Sequence, residues 1–315
     1  MEVTAHRGRH GVLCHYTGDE VIGASLAHYG EWAEEELYLL SWLIQPADTV
    51  VDVGANIGTH ALAFRRFVGP AGRVHAIDGH YHAFAMLTLN IFLNAVENVN
   101  CVQAIVGKES GVRLVPEEDI AALSNLNFSF AASEPLATND RLGGQRLVPH
   151  LVIALDELHL PRCELVKIDA EAMELEVMWG AIRTIERFRP VIYFEQASKH
   201  LFAQTLEFLQ GISYDAFWHV TNPFNRNNLS GDSHNIFGGT REVMVLALPR
   251  EKRNALAKSG FILDEISQPA YNPPSHPASE PGWALPQAAY RNLPPVDFKR
   301  IEDRLEKIRL ARPIQ

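Results

Sequence analysis

The chain has 315 residues and carries 28 Lys and Arg against 38 Asp and Glu, a net charge of −10 at pH 7. Hydrophobic residues make up 47% and charged residues 21%, which excludes a mostly disordered or collagen-like chain. The acidic balance argues against a nucleic-acid partner, which needs clustered basic charge. Three irregularly spaced cysteines do not form a disulfide framework, and no apolar run reaches the length of a membrane span or secretory signal. We therefore expect a cytoplasmic protein without a membrane span.

Residues 1–46 are predicted to form a lead-in with a strand over 12–16 and a helix over 33–45. Short apolar strands and helices then alternate, which is typical of βαβ units and of an α/β, doubly wound, mostly parallel sheet. The predicted strands are 49–53, 73–77, 99–106, 151–154, 164–168, 190–194, 214–220 and 242–248, and the predicted helices are 57–67, 80–94, 171–188 and 199–209. Residues 107–150 are rich in Ser, Asn, Gly and Pro and predict an insertion or lid over the carboxyl edge of the sheet.

The C-terminal part of the chain has a different character. Residues 268–295 hold eight of the 18 prolines and predict a linker or an extended wrap. A charged helix over 296–311 follows, with one apolar stripe formed by Phe298, Ile301, Leu305 and Ile308. The domain organisation is thus a lead-in (1–46), a central domain (47–250) and a C-terminal extension (251–315). The stripe must dock on this domain, a twin subunit or a partner, and a homo-oligomer contact is one hypothesis.

A glycine-containing loop follows the strand 49–53 and suggests a cofactor site. Gly54 and Gly58 precede a helix, whose N-terminus favours a negative group. A dinucleotide loop would need glycine where Asn56 and Thr59 stand. Asp52 followed by glycines four residues apart instead fits an S-adenosylmethionine (SAM) loop, with Asp52 near the ammonium of the methionine part.

A second acid supports a nucleoside ligand. Asp78 ends the next strand, 20 residues after Gly58, where a carboxylate can accept hydrogen bonds from both ribose hydroxyls. The alternative is that the glycines form a tight structural turn and that Asp78 caps a helix. Two such features on successive strands favour the nucleoside site.

An ordered set of motifs resembles the FkbM family of SAM-dependent methyltransferases, from about residue 12 to 248. The motifs are 29–32 (YGEW), 51–60 (VDVGANIGTH), 72–78 (GRVHAID), 98–107, 127–128 (NF), 155–158 (LDEL), 167–174 (KIDAEAME), 180–181 (GA) and 189–195. The resemblance implies a class I methyltransferase (Rossmann-like) fold, bound SAM with S-adenosylhomocysteine (SAH) as product, and transfer to oxygen in most members. It also implies that Gly54, Asn56, Gly58 and Asp78 line the cofactor and that Glu31 reaches the SAM side.

The chain departs from the family pattern in three places. Asp78-Gly79 replaces Glu-Pro, residues 169–172 (DAEA) replace Asp-Val-Glu-Gly, and residues 127–129 (NFS) replace Asn-Phe-Gly. Asp for Glu preserves ribose binding. Ala172 adds a methyl group near the acceptor, so the shape of the acceptor site can differ from that of the family.

Methyl transfer to an alcohol requires that the acceptor oxygen is in line with the bond between the methyl carbon and sulfur, and that the hydroxyl proton is removed. Asp169 ends the strand 164–168, and Glu171 is predicted at the start of the next helix, so both are candidates to face the acceptor. For Glu171 the alternative is a first-turn carboxylate that favours the helix dipole. Glu195 is a further candidate at the same edge. His219 has a suitable pKa for a base, although a lone histidine at a strand end is more often structural.

The acceptor and the metal requirement are less determined. Asp169, Glu171 and His219 are ligand types for Mg²⁺ or Mn²⁺, but such carboxylates more often orient the acceptor, so a divalent metal is possible and not expected. Most asparagines of the loop 222–235 are typical of turns. One or two of its amides are candidates to contact a hydroxylated small-molecule acceptor, such as a sugar residue or natural-product scaffold. The alternatives are a nicotinamide-dependent reductase, which lacks the expected glycines and a Tyr-x-x-x-Lys pair, and a non-catalytic SAM-binding or scaffold protein.

Overall fold

A computed structural model describes residues 2–116, 141–142, 145–254, 263–274, 283–290 and 292–310, with the backbone alone for 141, 142, 145 and 307–310. Its strands are β1 (Val3–Gly8), β2 (Gly11–Tyr16), β3 (Thr49–Val53), β4 (Arg73–Asp78), β5 (Val99–Gln103), β6 (Ile105–Val106), β7 (Gly111–Pro116), β8 (Arg141–Leu142), β9 (Gln145–Ile153), β10 (Leu165–Ile168), β11 (Val191–Glu195), β12 (Tyr214–Thr221), β13 (Glu242–Pro249) and β14 (Asp264–Glu265). Its helices are α1 (Ile22–Tyr29), α2 (Glu34–Leu43), α3 (Thr59–Val68), α4 (Tyr81–Leu93), α5 (Glu174–Gly180), α6 (Ile182–Phe188), α7 (Phe202–Gly211) and α8 (Phe298–Leu310).

Eight strands form the central sheet, in the order β14-β12-β13-β11-β10-β3-β4-β5. Strands β11, β10, β3, β4 and β5 pair in parallel, while β13 runs antiparallel to both β11 and β12. The strand order reverses direction around β3 and β10, and ligands bind at such switch points in open α/β sheets. The predicted doubly wound, mostly parallel sheet is confirmed, as is the class I methyltransferase fold that the resemblance implies.

Alternation along the buried strands supplies a core on each face of the sheet. Val50 of β3 packs with α1–α4 on one face, whereas its neighbour Val51 packs with α5–α7 on the other. Because successive side chains of a strand point to opposite faces, a run of β-branched residues serves both cores. This three-layer arrangement holds the carboxyl ends of the parallel strands at one edge.

The predicted strand over 99–106 is interrupted at Ala104, whose N–H donates to the carbonyl of Asp78. Strand β5 stays in the central sheet, and β6 joins a smaller sheet with β9, β7 and β8. The insertion 107–150 therefore contributes strands β7, β8 and most of β9. The lid hypothesis and the motif at 127–129 lie outside the described residues.

The predicted helix over 171–188 is also different in the structure. It begins only at Glu174 and is divided into α5 and α6 at Ala181. Glu171 and Ala172 precede it with φ angles of 48° and 75°. Two consecutive left-handed residues cannot belong to a right-handed helix, so the first-turn role considered for Glu171 is wrong.

The N-terminal lead-in packs against the central layer instead of standing apart. Strand β1, which the sequence did not predict, pairs with β2 as a hairpin. The side chains of Asn90 and Asn94 in α4 then hydrogen-bond the backbone of β2 at Cys14 and Val12. The two asparagines act as a neighbouring strand would, and so attach the hairpin to α4.

The C-terminal extension also returns to this domain. Strand β14 pairs with β12 at the sheet edge, and Tyr290 stacks on Phe67 while its hydroxyl donates to Glu34. Helix α8 docks on α4 and β2 with Ile301 buried. None of the helices in the described parts of the chain is long and apolar enough to span a bilayer.

The apolar stripe of α8 lies partly against the chain itself. Phe298 lies against Arg7, Ile301 is buried, and Leu305 packs against the core that contains residues of α4. The side chain of Ile308 lies outside the described residues. The chain itself buries Ile301, whereas Phe298 and Leu305 are half-buried, and the homo-oligomer contact stays a prediction.

Candidate functional site

A cavity opens at the carboxyl ends of β3, β4 and β10, as expected at the switch point of the sheet. It encloses about 550 Å³, including the part open to solvent. It is lined by Val53, Gly54, Asn56, Ile77, Asp78, Gly79, His80, Ala104, Ile105, Val106, Asp169, Ala170, Glu171 and Met173. Five of the nine site residues predicted from the sequence therefore lie on one cavity: Gly54, Asn56, Asp78, Asp169 and Glu171.

The glycine loop after β3 forms the floor of the cavity. Gly54 has φ +72° and lies against the backbone of Asp169, so a side chain there would collide with the neighbouring segment. Asn56 follows with φ 48° and lines the cavity. Gly58 lies behind the loop, where it precedes α3 with φ +92° and faces Leu87. Its role in the described structure is to start the helix.

Asp78 occupies the β4 side of the cavity with both carboxylate oxygens oriented by the backbone. One oxygen accepts from the N–H of Asn56 and the other from the N–H of His80, each at 2.8 Å. Burial raises the pKa of Asp78 to about 7, although these two hydrogen bonds act to lower it. Each oxygen retains a lone pair, so the carboxyl can still accept from a ligand.

His80 links the end of β4 to the first turn of α4. Its Nδ1 accepts from the N–H of Ala83 and caps the helix. Burial lowers its pKa to about 4, so the ring is neutral at pH 7. It also lines the cavity beside Asp78, so the start of α4 and the cavity share this residue.

Asp52 does not reach the cavity. It lies in β3 two residues before Gly54, is fully buried, and pairs in register with Lys167 of β10. The Lys167 ammonium is 3.6 Å from Asp52, 3.1 Å from Asp169 and 3.5 Å from the carbonyl of Gly54. Asp52 therefore lies beneath the loop, and its nearest charged partner is a lysine of the protein.

Three carboxyl groups form a wall on the opposite side, where Asp169 and Glu171 line the cavity and Glu195 lies next to them. Ligand atoms of Asp169, Glu171 and Glu195 lie within 4.8 Å of one another. Burial alone would raise the pKa of Asp169, but Lys167 beside it lowers that pKa below the ordinary value. Burial and the charges of Asp169 and Glu171 raise the pKa of Glu195 to about 10. At pH 7 Asp169 is therefore ionised, and Glu195 is protonated and hydrogen-bonded to it.

This arrangement bears on metal binding. A cation or a shared proton can hold three carboxyl groups together. The three carboxyl groups have the ligand types of a Mg²⁺ or Mn²⁺ site, and the metal requirement stays a prediction. Glu171 completes the wall, and burial, followed by the charge of Asp169, raises its pKa.

Two predicted site residues lie elsewhere. His219 is buried inside β12, where its Nδ1 contacts the hydroxyl of Tyr193 at 2.8 Å. Glu31 is buried between the lead-in and the loop after β12. It accepts from Arg9, from the amide of Asn225 at 2.6 Å and from the N–H of Leu229. Neither residue lines the cavity.

The asparagine-rich loop is mostly structural in the described chain. Asn225 donates to Glu31 and accepts from the N–H of Leu285 in the C-terminal extension. Asn228 donates to the carbonyls of Asn225 and Asp232. These bonds close the loop and tie it to the lead-in and extension, which agrees with the turn interpretation of most of its asparagines.

Sequence reasoning gave no role to Lys167. It is only 2% exposed, although lysine is almost never buried without a partner. The available signal was its position inside an otherwise apolar strand (LVKI), two residues before the acid that follows the strand. A buried strand accommodates a lysine only with a countercharge nearby, and Asp169 two residues later was the candidate.

Comparison with known proteins connects the cavity with one family. The model of the "Methyltransferase FkbM domain" matches residues 52–216. No curated protein sequence matches the chain significantly. The region begins at Asp52, inside β3, and contains the whole glycine loop, β4 with Asp78, β10 and the carboxylate wall.

Solved structures show distant likeness. Methyltransferase FkbM from Methylobacillus flagellatus KT has 15% identity and a TM-score of 0.43, with 64% of this chain and 43% of that chain covered. The precorrin-6y C5,15-methyltransferase from Geobacter metallireducens GS-15 has 15% identity and a TM-score of 0.41, covering 68% and 87%. The O-methyltransferase TomG from Streptomyces achromogenes, in complex with SAM, has 14% identity and a TM-score of 0.40, covering 68% and 78%.

Proposed function

The chain belongs to the methyltransferase FkbM family and is a SAM-dependent methyltransferase, and from this premise we propose that it methylates a hydroxyl oxygen of a small polar acceptor. The acceptor class is a sugar residue or a natural-product scaffold, and SAH is the second product. Family membership removes the nicotinamide-dependent reductase from consideration. The observation that supports oxygen transfer is an ionised carboxylate, Asp169, on the cavity wall opposite Asp78.

The two acids define the orientation of the cofactor. The loops after β10, β3 and β4 are neighbours, so Asp169, Gly54 and Asp78 follow one another across the cavity. Asp78 would hold the ribose hydroxyls of SAM through its remaining lone pairs, and His80 would lie beside the adenine. Gly54 and Asp169 would hold the methionine part with its sulfonium, because they lie across the cavity from Asp78.

The residues of the wall carry out the transfer. Bound SAM would supply the methyl group to the acceptor oxygen, and the electron pair of the broken carbon–sulfur bond would stay on the sulfur of SAH. Asp169 accepts the hydroxyl proton, for which an ionised carboxylate is required. Glu171 lies at the same wall and holds the acceptor in line. His219 takes no part, since it lies behind Tyr193.

Cofactor binding is tested first by titration calorimetry with SAM, SAH and NADH. We expect micromolar binding of SAM and SAH, loss of both in Asp78→Asn, and no binding of NADH. Asp215→Asn is the matched control, because Asp215 is at the start of β12, at the opposite edge of the sheet, where it contacts Arg250 and Arg253. Binding of NADH alone would contradict the cofactor assignment.

Oxygen transfer is tested with radiolabelled SAM and a panel of hydroxylated sugars and primary amines. We expect label in alkali-stable methyl ethers of the sugars. Asp169→Asn should lower kcat by roughly 10²–10⁴-fold while cofactor affinity changes little. Label found only in methylated amines would overturn oxygen transfer and leave the family assignment intact.

A further inference from the structure

Lys167 is a buried cation below the carboxylate wall. Its side chain is 3% exposed and comes from the central strand β10. Its position on the strand directs it to the face covered by α2 and α3, because Leu165, two residues earlier, packs in the core of that face. A buried ammonium loses its hydration, so its partners determine its position.

Those partners are arranged on two levels. Asp52 is opposite Lys167 in the parallel register of β3 and β10 and holds the ammonium from the side at 3.6 Å. Asp169 is two residues further along the chain, towards the cavity, and its carboxylate is 3.1 Å from the Lys167 ammonium. The Asp169 side chain is 38% exposed. The ammonium thus connects a fully buried carboxylate with one that faces the cavity.

The surroundings of Asp169 are otherwise acidic. Groups that interact with it from the elements packed around it are Asp52 (β3), Lys167 (β10), Glu171 and Glu174 (loop and α5), Tyr193 and Glu195 (β11), Glu36 (α2), His60 (α3) and Glu242 (β13). Burial and then the charge of Lys167 lower the pKa of His60 to about 4, so His60 is neutral at pH 7. Lys167 is therefore the positive charge among these groups.

We propose that Lys167 is a positioning residue which, braced by Asp52, orients the Asp169 carboxylate on the cavity wall and keeps it ionised among the surrounding carboxyl groups. The inference rests on the proposed function, in which SAM binds in this cavity and Asp169 is the base. Lys167 itself does not touch the substrate. It acts by keeping Asp169 charged while Glu195 beside it holds a proton.

The cofactor itself supplies a probe of that charge. SAM carries a sulfonium, whereas SAH has a neutral sulfur in the same framework. An ionised Asp169 therefore strengthens binding of SAM relative to SAH. The ratio of the two dissociation constants measures the charge on the wall without knowledge of the acceptor.

The experiment is calorimetry with SAM and SAH at pH 6, 7.5 and 9 on the full chain. In the wild type we expect a nearly constant affinity ratio, because Asp169 stays ionised. In Asp52→Asn/Lys167→Met, which removes one charge of each sign, the preference for SAM should fall roughly three- to thirtyfold at pH 6 and recover at pH 9. Asp169→Asn should show the lower preference at every pH. SAM and SAH have the same ionisation states in all measurements at one pH. Comparing the affinity ratios of the variants at that pH therefore removes the contribution of ligand ionisation.

The outcomes separate the inference from the proposed function. If neither SAM nor SAH binds the wild type, the proposed function fails. If both bind and the double variant keeps the wild-type ratio at pH 6, Lys167 does not control Asp169 and the inference is overturned. If the double variant does not fold, the wild-type titration decides: a ratio that falls towards pH 6 overturns the inference, and a constant ratio that Asp169→Asn lowers at every pH supports it.

Discussion

The backbone carbonyl of Asp169 lies so close to Gly54 that a Cβ atom at position 54 would come within 1.7 Å of its oxygen. The two residues follow β10 and β3, which are parallel neighbours in the sheet. The glycine is therefore required by the protein's own backbone before any ligand is considered. The same contact sets the separation between the loop floor and the carboxylate wall.

Gly54→Ala should lower the free energy of unfolding by more than about 4 kcal/mol, because two backbone segments must separate. Gly231→Ala is the control, since Gly231 has nearly the same φ, +70°, but no atom near its missing Cβ. That change should cost only about 1–2 kcal/mol of left-handed strain. Urea unfolding compares them, and equal losses would show that the Asp169 contact is unimportant.

Asn90→Ala should destabilise the attachment of the N-terminal hairpin. Asn90 is fully buried and exchanges two hydrogen bonds with the backbone of Cys14, and its amide also donates to the carbonyl of Ile57. Truncation leaves buried backbone groups without partners, so we expect a loss of roughly 2–4 kcal/mol in urea unfolding. Asn100→Ala, at an exposed position of β5, is the control. A loss no greater than that of the control would show that these bonds contribute little.

Glu35→Gln should stabilise the protein at pH 8 and leave it unchanged at pH 4. Burial raises the pKa of Glu35 from 4.5 to about 7, so the folded state binds a proton that the unfolded state has lost. Stability from this group is complete below pH 4.5 and is lost as pH rises through 7. The glutamine retains an acceptor for the N–H of Asn222 and avoids the buried charge.

We expect a gain of roughly 1–3 kcal/mol at pH 8, measured by urea unfolding at both pH values. Glu207→Gln, on the exposed side of α7, should not change the difference between the two pH values. A Glu35→Gln gain that is the same at pH 4 and pH 8 would attribute the effect to packing instead of charge.

Ile301→Ala should loosen helix α8 without affecting the cavity. Ile301 is 3% exposed on the helix that docks on α4 and β2, whereas Glu306 on the same helix is exposed. Amide exchange over residues 298–310 should therefore accelerate at least tenfold in Ile301→Ala and stay unchanged in Glu306→Ala. SAM affinity should be the same in both. A lower molecular mass of Ile301→Ala by light scattering would instead support the subunit contact.

Sequence reasoning located the elements whose signals are local. β3 was predicted with the observed bounds because a β-branched run ends at a glycine, and Asp78 and Asp169 were placed at the cavity because each follows a strand of a parallel sheet. Acids at the carboxyl ends of neighbouring strands necessarily meet at one edge. The break in the helix predicted over 171–188 was not foreseen, because Glu171 and Ala172 favour helices and only the surrounding structure holds them in left-handed conformations.

The direction of a side chain was harder to foresee. His219 was predicted at the end of a strand, but β12 continues to Thr221. Its ring is therefore buried within the strand region, where it contacts the hydroxyl of Tyr193. Asp52 likewise lies within β3, two residues before the loop, and faces Lys167. A one-residue shift along a strand exchanges the two faces of the sheet, and the pattern of apolar residues does not resolve it when both faces are buried.

The sequence by itself determined the alternation of strands and helices in the central sheet, the glycine loop and the acids at the ends of β4 and β10. These depend on neighbouring residues, since periodicity, β-branching and glycine act within a few positions. Tertiary structure alone decided which polar groups meet: Lys167 with Asp169, Glu31 with Asn225, and α8 with α4. The last two pairs are far apart in the chain, and the energy of a buried charge depends on which partners folding brings within a few ångströms.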